Sequence, residues 1–207
     1  MPVISYQGAL KTLQPVIEPV RGALAAGLGK AVGYHAAEGL DRSRDQRFFS
    51  YNVRRVARDV LRDEGLVQAD IDDLDNPMSS LVVPYRGLLV RILRGRRGEP
   101  TTGGTRSLRL PHPGQSDRWR RFWRQDQEPA FEGLATENLL WIWGDDDGVL
   151  TEPMLLARPT GGFDNPTAAR VSWQGKITGS MAAMRAEDLD ELVPDFAAGE
   201  LGVEDAG

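Results

Sequence analysis

Two apolar runs in the second half of the chain are separated by a short cluster of Asp and Gly. The first run occupies residues 139–143, and the second resumes at residue 149 and continues through residues 154–157. The intervening residues 144–148 are of the types that adopt the positive φ values of a tight reversal. The pattern therefore predicts a β-hairpin over residues 138–159.

The first strand of this hairpin is apolar on both faces. Trp141 and Trp143 alternate with Leu140 and Ile142, and alternate residues of a strand point to opposite faces of the sheet. Both tryptophans should therefore be buried together or exposed together. Because the opposite face is also apolar, we expect a central strand that is covered on both sides.

Three further strands and a short helix follow from the same pattern. Residues 81–83 and 88–93 flank a Pro-Tyr-Arg-Gly turn, and residues 170–177 form the last strand. Period-two alternation places Val171 and Trp173 on one face of that last strand. The final helix is predicted within residues 181–196.

The first third of the chain has helical periodicity. In residues 47–64 the apolar positions Phe49, Val53, Val56 and Val60 fall on one face, as in an amphipathic helix. The other face carries Arg54, Arg55, Arg58 and Arg62. That basic face is either solvated and paired with the interleaved Asp residues, or laid along phosphates.

Residues 5–38 are also helical in pattern, but they contain Pro15 and Pro19. A proline inside a helix removes a backbone hydrogen bond and clashes with the preceding turn. The sequence therefore predicts a break, with a second helix over residues 19–37 that has Pro19 in its first turn.

Small residues recur every four positions in the second part of this segment, at Ala25, Gly29, Gly33 and Ala37. Such a strip lets another backbone approach closely. Two interpretations are open, namely tight packing within the fold and a homodimer seam along the 19–37 helix. Membrane insertion is disfavoured because charged residues interrupt an apolar run that is barely long enough to span a bilayer.

These elements predict an α+β fold, with an N-terminal helical section followed by a mostly antiparallel, hairpin-built β-sheet. The expected organisation is a helical section at 1–66, an acidic linker at 67–80, a β-rich domain at 81–180, and a short helix with an acidic tail at 181–207. An arginine-rich loop at 95–124 lies within the β-rich domain.

Charge is strongly polarised along the chain. The formal net charge is −5. Residues 86–124 nevertheless contain 11 Arg against one Glu and one Asp, a net of +9, whereas residues 182–207 contain one Arg against eight acids, a net of −7. Such a separation of charge is informative about binding partners and not about the fold. It indicates a protein that acts by interaction.

The composition narrows the chemistry. The absence of cysteine removes thiolate catalysis and Cys-ligated metal sites, and the chain has only two histidines, His35 and His112. No phosphate-binding loop of known spacing occurs, so we expect no cofactor and no metal. The N-terminus lacks the pattern of a secretory signal, which predicts a cytoplasmic location without membrane attachment.

The arginine-rich block is the candidate binding surface. Guanidinium groups pair bidentately with phosphate oxygens, and aromatic rings stack on unpaired bases. The alternative is that the aromatic residues belong to the core and only their arginine neighbours face solvent. The candidate residues are Arg86, Arg91, Arg94, Arg96, Arg97, Arg106, Arg109, Arg118, Trp119, Arg120, Arg121, Trp123 and Arg124.

A catalytic role has little support in the sequence. The Asp residues at 145–147 lack the spacing of a calcium loop and are typical of a turn. Asp164 followed by Gln174 and Lys176 loosely resembles the Asp…Gln-x-Lys variant of restriction-endonuclease-like nucleases. That resemblance implies a metal-dependent nuclease with these three residues in its site.

Three functions are therefore carried forward. The first is a non-enzymatic interaction or regulatory accessory protein that acts by protein–protein contact, of the kind found in phage, defence or toxin–antitoxin loci. The second is a nucleic-acid-binding protein that uses the Arg/aromatic block, and the third is the nuclease. The sequence favours the first.

Overall fold

A computed structural model of the protein describes residues 3–66, 81–100, 106–110, 122–125, 137–161 and 170–197. The helices are α1 (Tyr6–Ala37), α2 (Gln46–Asp63) and α3 (Ala186–Asp190), with a 3₁₀ turn at Gly179–Ala183. The strands are β1 (Leu81–Tyr85), β2 (Leu88–Arg94), β3 (Arg96–Pro100), β4 (Arg106–Arg109), β5 (Glu137–Trp143), β6 (Asp145–Asp146), β7 (Val149–Leu150), β8 (Met154–Gly161), β9 (Arg170–Ile177) and β10 (Phe196–Ala197).

Six of these strands form one mixed sheet in the order β1-β2-β5-β8-β9-β10. Every neighbouring pair is antiparallel except β2 and β5, which run parallel. The predicted hairpin is confirmed, because β5 and β8 pair with Trp141 opposite Leu156. The predicted α+β fold, with helices first and a mostly antiparallel sheet after them, is confirmed as well.

Both faces of β5 are buried, as the sequence predicts. Trp141 and Trp143 have no exposed surface and pack with the helices in one hydrophobic cluster. Leu140 and Ile142 are equally buried and belong to a second cluster on the opposite face. The strand therefore lies at the centre of the fold.

The predicted face of Val171 is wrong. Trp173 lies in the cluster beneath the helices, whereas Val171 packs against the second cluster. The pairing of β8 with β9 shifts at this point, with Arg158 opposite Trp173 but Pro159 opposite Val171. The extra residue of this β-bulge breaks the two-residue alternation on which the prediction depended.

The predicted break in the first helix is also wrong, because α1 is continuous through both prolines. Pro15 is exposed and Pro19 is half-exposed, so the carbonyl groups that lose their partners lie toward the solvent side. The opposite side buries Leu13, Val16 and Ile17 completely or nearly so. Burial of this face outweighs the cost of about 3 kcal/mol for an interior proline.

The strip of small residues predicted to pack within the fold is exposed instead. A Cβ atom at Gly29 or Gly33 would meet nothing within 4 Å. The close helix contact is made one face away at Gly27, where a Cβ would lie 2.4 Å from the carbonyl oxygen of Val53 in α2. Packing of the predicted strip within the fold is thus wrong, and the homodimer seam stays a prediction.

We expect the same substitution to have opposite effects on the two faces of α1. Gly27→Ala should lower the free energy of unfolding by about 1–3 kcal/mol, because the added methyl group overpacks the contact with Val53. Gly33→Ala should raise it by about 0.5–1 kcal/mol, since alanine is the better helix former at an open site. Urea unfolding of the two variants measures both changes. If both variants change the free energy of unfolding in the same direction, the packing described here is contradicted.

The amphipathic helix at 47–64 is confirmed as α2, although its buried face differs slightly from the prediction. Phe49 and Val53 are buried together with Ala57 and Leu61. Val56 and Val60 are only partly buried. The side chains of α1, α2 and the sheet form a single cluster, so the helices and strands share one core.

Some predicted features lie outside the described residues, namely the acidic linker at 67–80, part of the arginine-rich loop and the end of the acidic tail. The prediction of a loop throughout 95–124 is wrong, because β3 and β4 lie within this range and pair with each other. The predicted C-terminal helix corresponds to the 3₁₀ turn and α3. Among the described helices, none carries an apolar stretch long enough to cross a membrane.

Candidate functional site

A cleft of about 1130 Å³ opens where three distant segments of the chain meet. One wall is the first three turns of α2, the second is the loop between α1 and α2, and the third is the tip of the β5–β8 hairpin together with the end of β2. The lining residues are Leu40, Asp41, Arg42, Ser43, Gln46, Arg47, Phe49, Ser50, Tyr51, Arg54, Arg94, Gly95, Asp145, Asp146 and Asp147.

The α2 wall presents hydrogen-bond donors. Arg47, Ser50, Tyr51 and Arg54 line the cleft, and residues at this spacing share one side of a helix. Within the described residues, Arg47 and the hydroxyl groups of Ser50 and Tyr51 make no hydrogen bond or ion pair. Burial lowers the pKa of the Arg54 guanidinium, which marks this cation as partly removed from water.

The α1–α2 loop is held in shape by its own side chains. The backbone N–H and hydroxyl of Ser43 donate to one carboxylate oxygen of Asp41, at 2.8 and 2.7 Å. These hydrogen bonds lower the pKa of Asp41, because they stabilise the charged form. Arg44 lies 3.3 Å from the other carboxylate oxygen.

The hairpin tip reaches the loop through a tight two-residue turn. Asp147 and Gly148 have φ values of 47° and 85°, as in a type I′ turn. A Cβ at Gly148 would lie 2.4 Å from a methyl carbon of Val32 in α1, so only glycine allows this approach. Arg42 donates to the carboxylate of Asp147 at 2.6 Å, which joins loop and tip.

A second ion pair lies at the floor of the cleft. The guanidinium of Arg94 donates to Asp145 at 2.6 Å, and the side chain of Asp145 is only 5% exposed. Its other carboxylate oxygen accepts the Gly148 N–H at 3.2 Å. The guanidinium carbon of Arg94 lies 5.3 Å from the centre of the Phe49 ring and 5.8 Å from that of Trp143, within cation–π range.

An aromatic group ties the end of α1 to the start of α2 behind the cleft. His35 is 1% exposed, and its Nδ1 donates to the Ala31 carbonyl at 2.9 Å. Its ring lies 5.3–6.0 Å from the rings of Tyr34, Phe48 and Phe49. These contacts fix the first turn of α2 and with it the cleft wall.

The structure separates the described members of the arginine block. Arg86 lies in the β1–β2 turn, 5.4 Å from the centre of the Tyr85 ring. Arg94 lies at the other end of β2 and lines the cleft. Arg91 is 6% exposed and lies on the same face of β2 as Leu89 and Leu93 of the second cluster.

Of the remaining candidates, Arg118, Trp119, Arg120 and Arg121 lie outside the described residues. Arg96, Arg97, Arg106 and Arg109 lie on the paired strands β3 and β4. Trp123 is completely buried beside Phe122 in the second cluster, so its ring is not presented for stacking in this structure. Arg124 next to it is exposed.

The nuclease candidates do not form a described cluster. Asp164 lies outside the described residues. Gln174 and Lys176 share one side of β9, since Gly175 between them faces Tyr6 of α1. The ammonium group of Lys176 lies 3.6 Å from Asp195.

Sequence reasoning missed most of this cleft. Arg94 is the one lining residue among the candidate binding residues. Arg54 lies on the α2 wall of the cleft. Of the Asp residues predicted to form a turn, Asp147 lies in it, whereas Asp145 and Asp146 pair with β7 as the short strand β6. Arg54 and the Asp residues at 145–147 are about 90 residues apart in the chain. A local sequence pattern cannot predict that residues so far apart line the same cleft.

Within the described part of the chain, no group of three or more His, Cys, Asp or Glu side chains could hold a metal ion. No family model, curated protein or solved structure matches the chain.

Proposed function

We propose that this chain is a non-enzymatic interaction protein whose docking site for a protein partner is the cleft. The observation that carries the proposal is the pairing of a donor-bearing wall, from α2, with a wall of aspartates, from the hairpin tip. Complementary charge sets the orientation and specificity of protein–protein contacts. A cleft with fixed charges of both signs can therefore distinguish partners by where their own charges lie.

The charge balance of the cleft favours a protein over a polyanion. Four arginines and four aspartates line it, so its formal charge is zero. Nucleic-acid binding depends on an excess of cations that displaces counterions from the phosphates. Three aspartates on one wall oppose that mode of binding.

Exposed apolar side chains also occur on the segments around the cleft. Tyr34 at the end of α1, Leu40 in the loop and Val149 at the hairpin tip are 47%, 38% and 70% exposed. Leu40 itself lines the cleft. Apolar groups next to oriented charges are typical of protein interfaces.

The arrangement of the arginine block gives less support to the nucleic-acid alternative. Arg86 and Arg94 lie at opposite ends of β2, about 20 Å apart at the rise of a strand. Arg91 and Trp123 face the interior. Neither of these two side chains is therefore presented to a ligand on the surface.

We expect Arg47→Glu to abolish capture of the partner, while Arg55→Glu leaves it intact. Both arginines are exposed on α2, but only Arg47 lines the cleft. The two variants carry the same charge change, so net charge cannot explain a difference. The measurement is quantitative mass spectrometry of proteins retained from lysate of the native host by tagged wild-type and variant chains.

Equal retention of every protein by both variants would place the docking surface elsewhere. An absorbance ratio at 260/280 nm that is raised in the purified protein and falls in strong salt would favour nucleic-acid binding. The cytoplasmic location and the homodimer through 19–37 stay predictions.

A further inference from the structure

The unused hydrogen-bonding capacity of the cleft consists of donors. On the α2 wall, the side chains of Arg47, Ser50 and Tyr51 make no hydrogen bond to the described residues, and all three residues line the cleft. Arg47 offers several N–H groups and no acceptor. A ligand for this wall must therefore supply acceptor oxygens.

The carboxylates of the cleft, by contrast, are already engaged. Asp145 accepts from Arg94 and from the Gly148 N–H, and Asp147 accepts from Arg42. Asp41 accepts from Ser43 and lies beside Arg44. A basic ligand would have to displace these partners, whereas an acidic ligand would not.

Apolar surface lies close to these donors. Leu40 and Tyr51 line the cleft together with Arg47. A single free carboxylate ion would leave this surface unused, whereas a peptide can place an apolar side chain against it. The ligand should thus combine acidic and apolar side chains.

Resting on the docking function proposed above, we infer that the partner inserts an acidic peptide segment into the cleft. A Glu or Asp side chain accepts hydrogen bonds from Arg47, and a neighbouring apolar side chain packs on Leu40 and Tyr51. A phosphate polymer fits less well, because its charges repeat on either side of the bound group and meet the aspartates of the hairpin tip.

The test is selection of random 12-residue peptides, displayed on phage, against the immobilised full-length chain. Peptides that also bind the Arg47→Glu variant are removed, and Arg55→Glu serves as the matched control. We expect Asp and Glu to be enriched in the selected set. For a synthesised member, Arg47→Glu should raise Kd about tenfold or more and Arg55→Glu less than about twofold.

The outcomes separate the two proposals. Peptides that depend on Arg47 but are not enriched in Asp or Glu would overturn the acidic segment and leave the docking cleft in place. A failure to select any peptide that depends on Arg47 would overturn both. A 12-nucleotide single strand that binds more tightly than the selected peptides, and is lost with Arg47→Glu, would replace the acidic peptide by a nucleic acid.

Thermal unfolding of the variants controls for misfolding. Arg47 is exposed and makes no ion pair with the described residues, and a glutamate in the first turn of a helix is favourable. Arg47→Glu should therefore melt at or above the wild-type temperature. Lost binding by a variant that melts lower than Arg55→Glu would count against the inference.

Discussion

Replacing Trp141 with alanine should lower the free energy of unfolding by about 3–5 kcal/mol. Trp141 has no exposed surface and lies on the central strand, opposite Leu156 of β8 and Ile92 of β2. Its indole N–H also points to the sulfur of Met154, at 3.2 Å. Removal of the ring leaves a cavity that strands held on both sides cannot close.

Urea unfolding with an unchanged m value measures this loss directly. Val149→Ala is the matched control in the same hairpin, because Val149 is 70% exposed and should change stability by no more than about 0.5 kcal/mol. If Trp141→Ala costs less than about 1 kcal/mol, β5 is not central to the fold.

Arg94→Ala should have the second largest effect on stability. Removal of one partner from a buried ion pair lowers the free energy of unfolding by roughly 3–5 kcal/mol, and we expect a loss toward the lower end of that range. The Asp145 side chain is 5% exposed and would lose its ion pair with Arg94. Two features moderate the loss, since Asp145 keeps the Gly148 N–H and the Arg94 side chain is 22% exposed. Contacts with Phe49 and Trp143 are lost as well.

A double-mutant cycle isolates the pair from these other contacts. Arg94→Ala combined with Asp145→Ala should be less destabilised than the sum of the single variants by about 1–3 kcal/mol. Arg94→Lys should recover only part of the stability, because an ammonium group lacks the planar stacking of a guanidinium. Strict additivity would show that the two side chains are not energetically coupled.

Local patterns predicted the hairpin because its signals lie close together in the chain. Asp147 and Gly148 adopt positive φ, as their residue types indicate, and the alternation of Trp141 with Leu140 and Ile142 sets both faces of β5. The helix at 47–64 follows from its own periodicity in the same way.

The errors in the predicted fold arise where a local sequence pattern is compatible with more than one arrangement. The exposed strip Ala25/Gly29/Gly33/Ala37 and the buried set Ala23, Gly27 and Ala31 both repeat every four residues, so spacing alone cannot select the packed one. Proline content indicated a break in α1, but the solvent-facing position of Pro15 depends on tertiary packing. The β-bulge in β9 places Val171 on the face of the sheet opposite to the predicted one.

Local sequence patterns could not predict the candidate site. It forms because the start of α2, the α1–α2 loop and the hairpin tip converge, and the contacts that hold them are long-range. Arg42 with Asp147, and Arg94 with Asp145, pair across 105 and 51 residues. The sequence predicted an interaction protein from its polarised charge, but placed the binding residues mainly in the arginine block.

The measurement that tests the docking cleft most directly is the Kd of the purified partner for the wild-type, Arg47→Glu and Arg55→Glu chains. Titration calorimetry of all three at one ionic strength keeps screening constant. The docking cleft predicts that Arg47→Glu weakens binding about tenfold or more, while Arg55→Glu stays within about twofold of wild type. Equal Kd values for the two variants would contradict it.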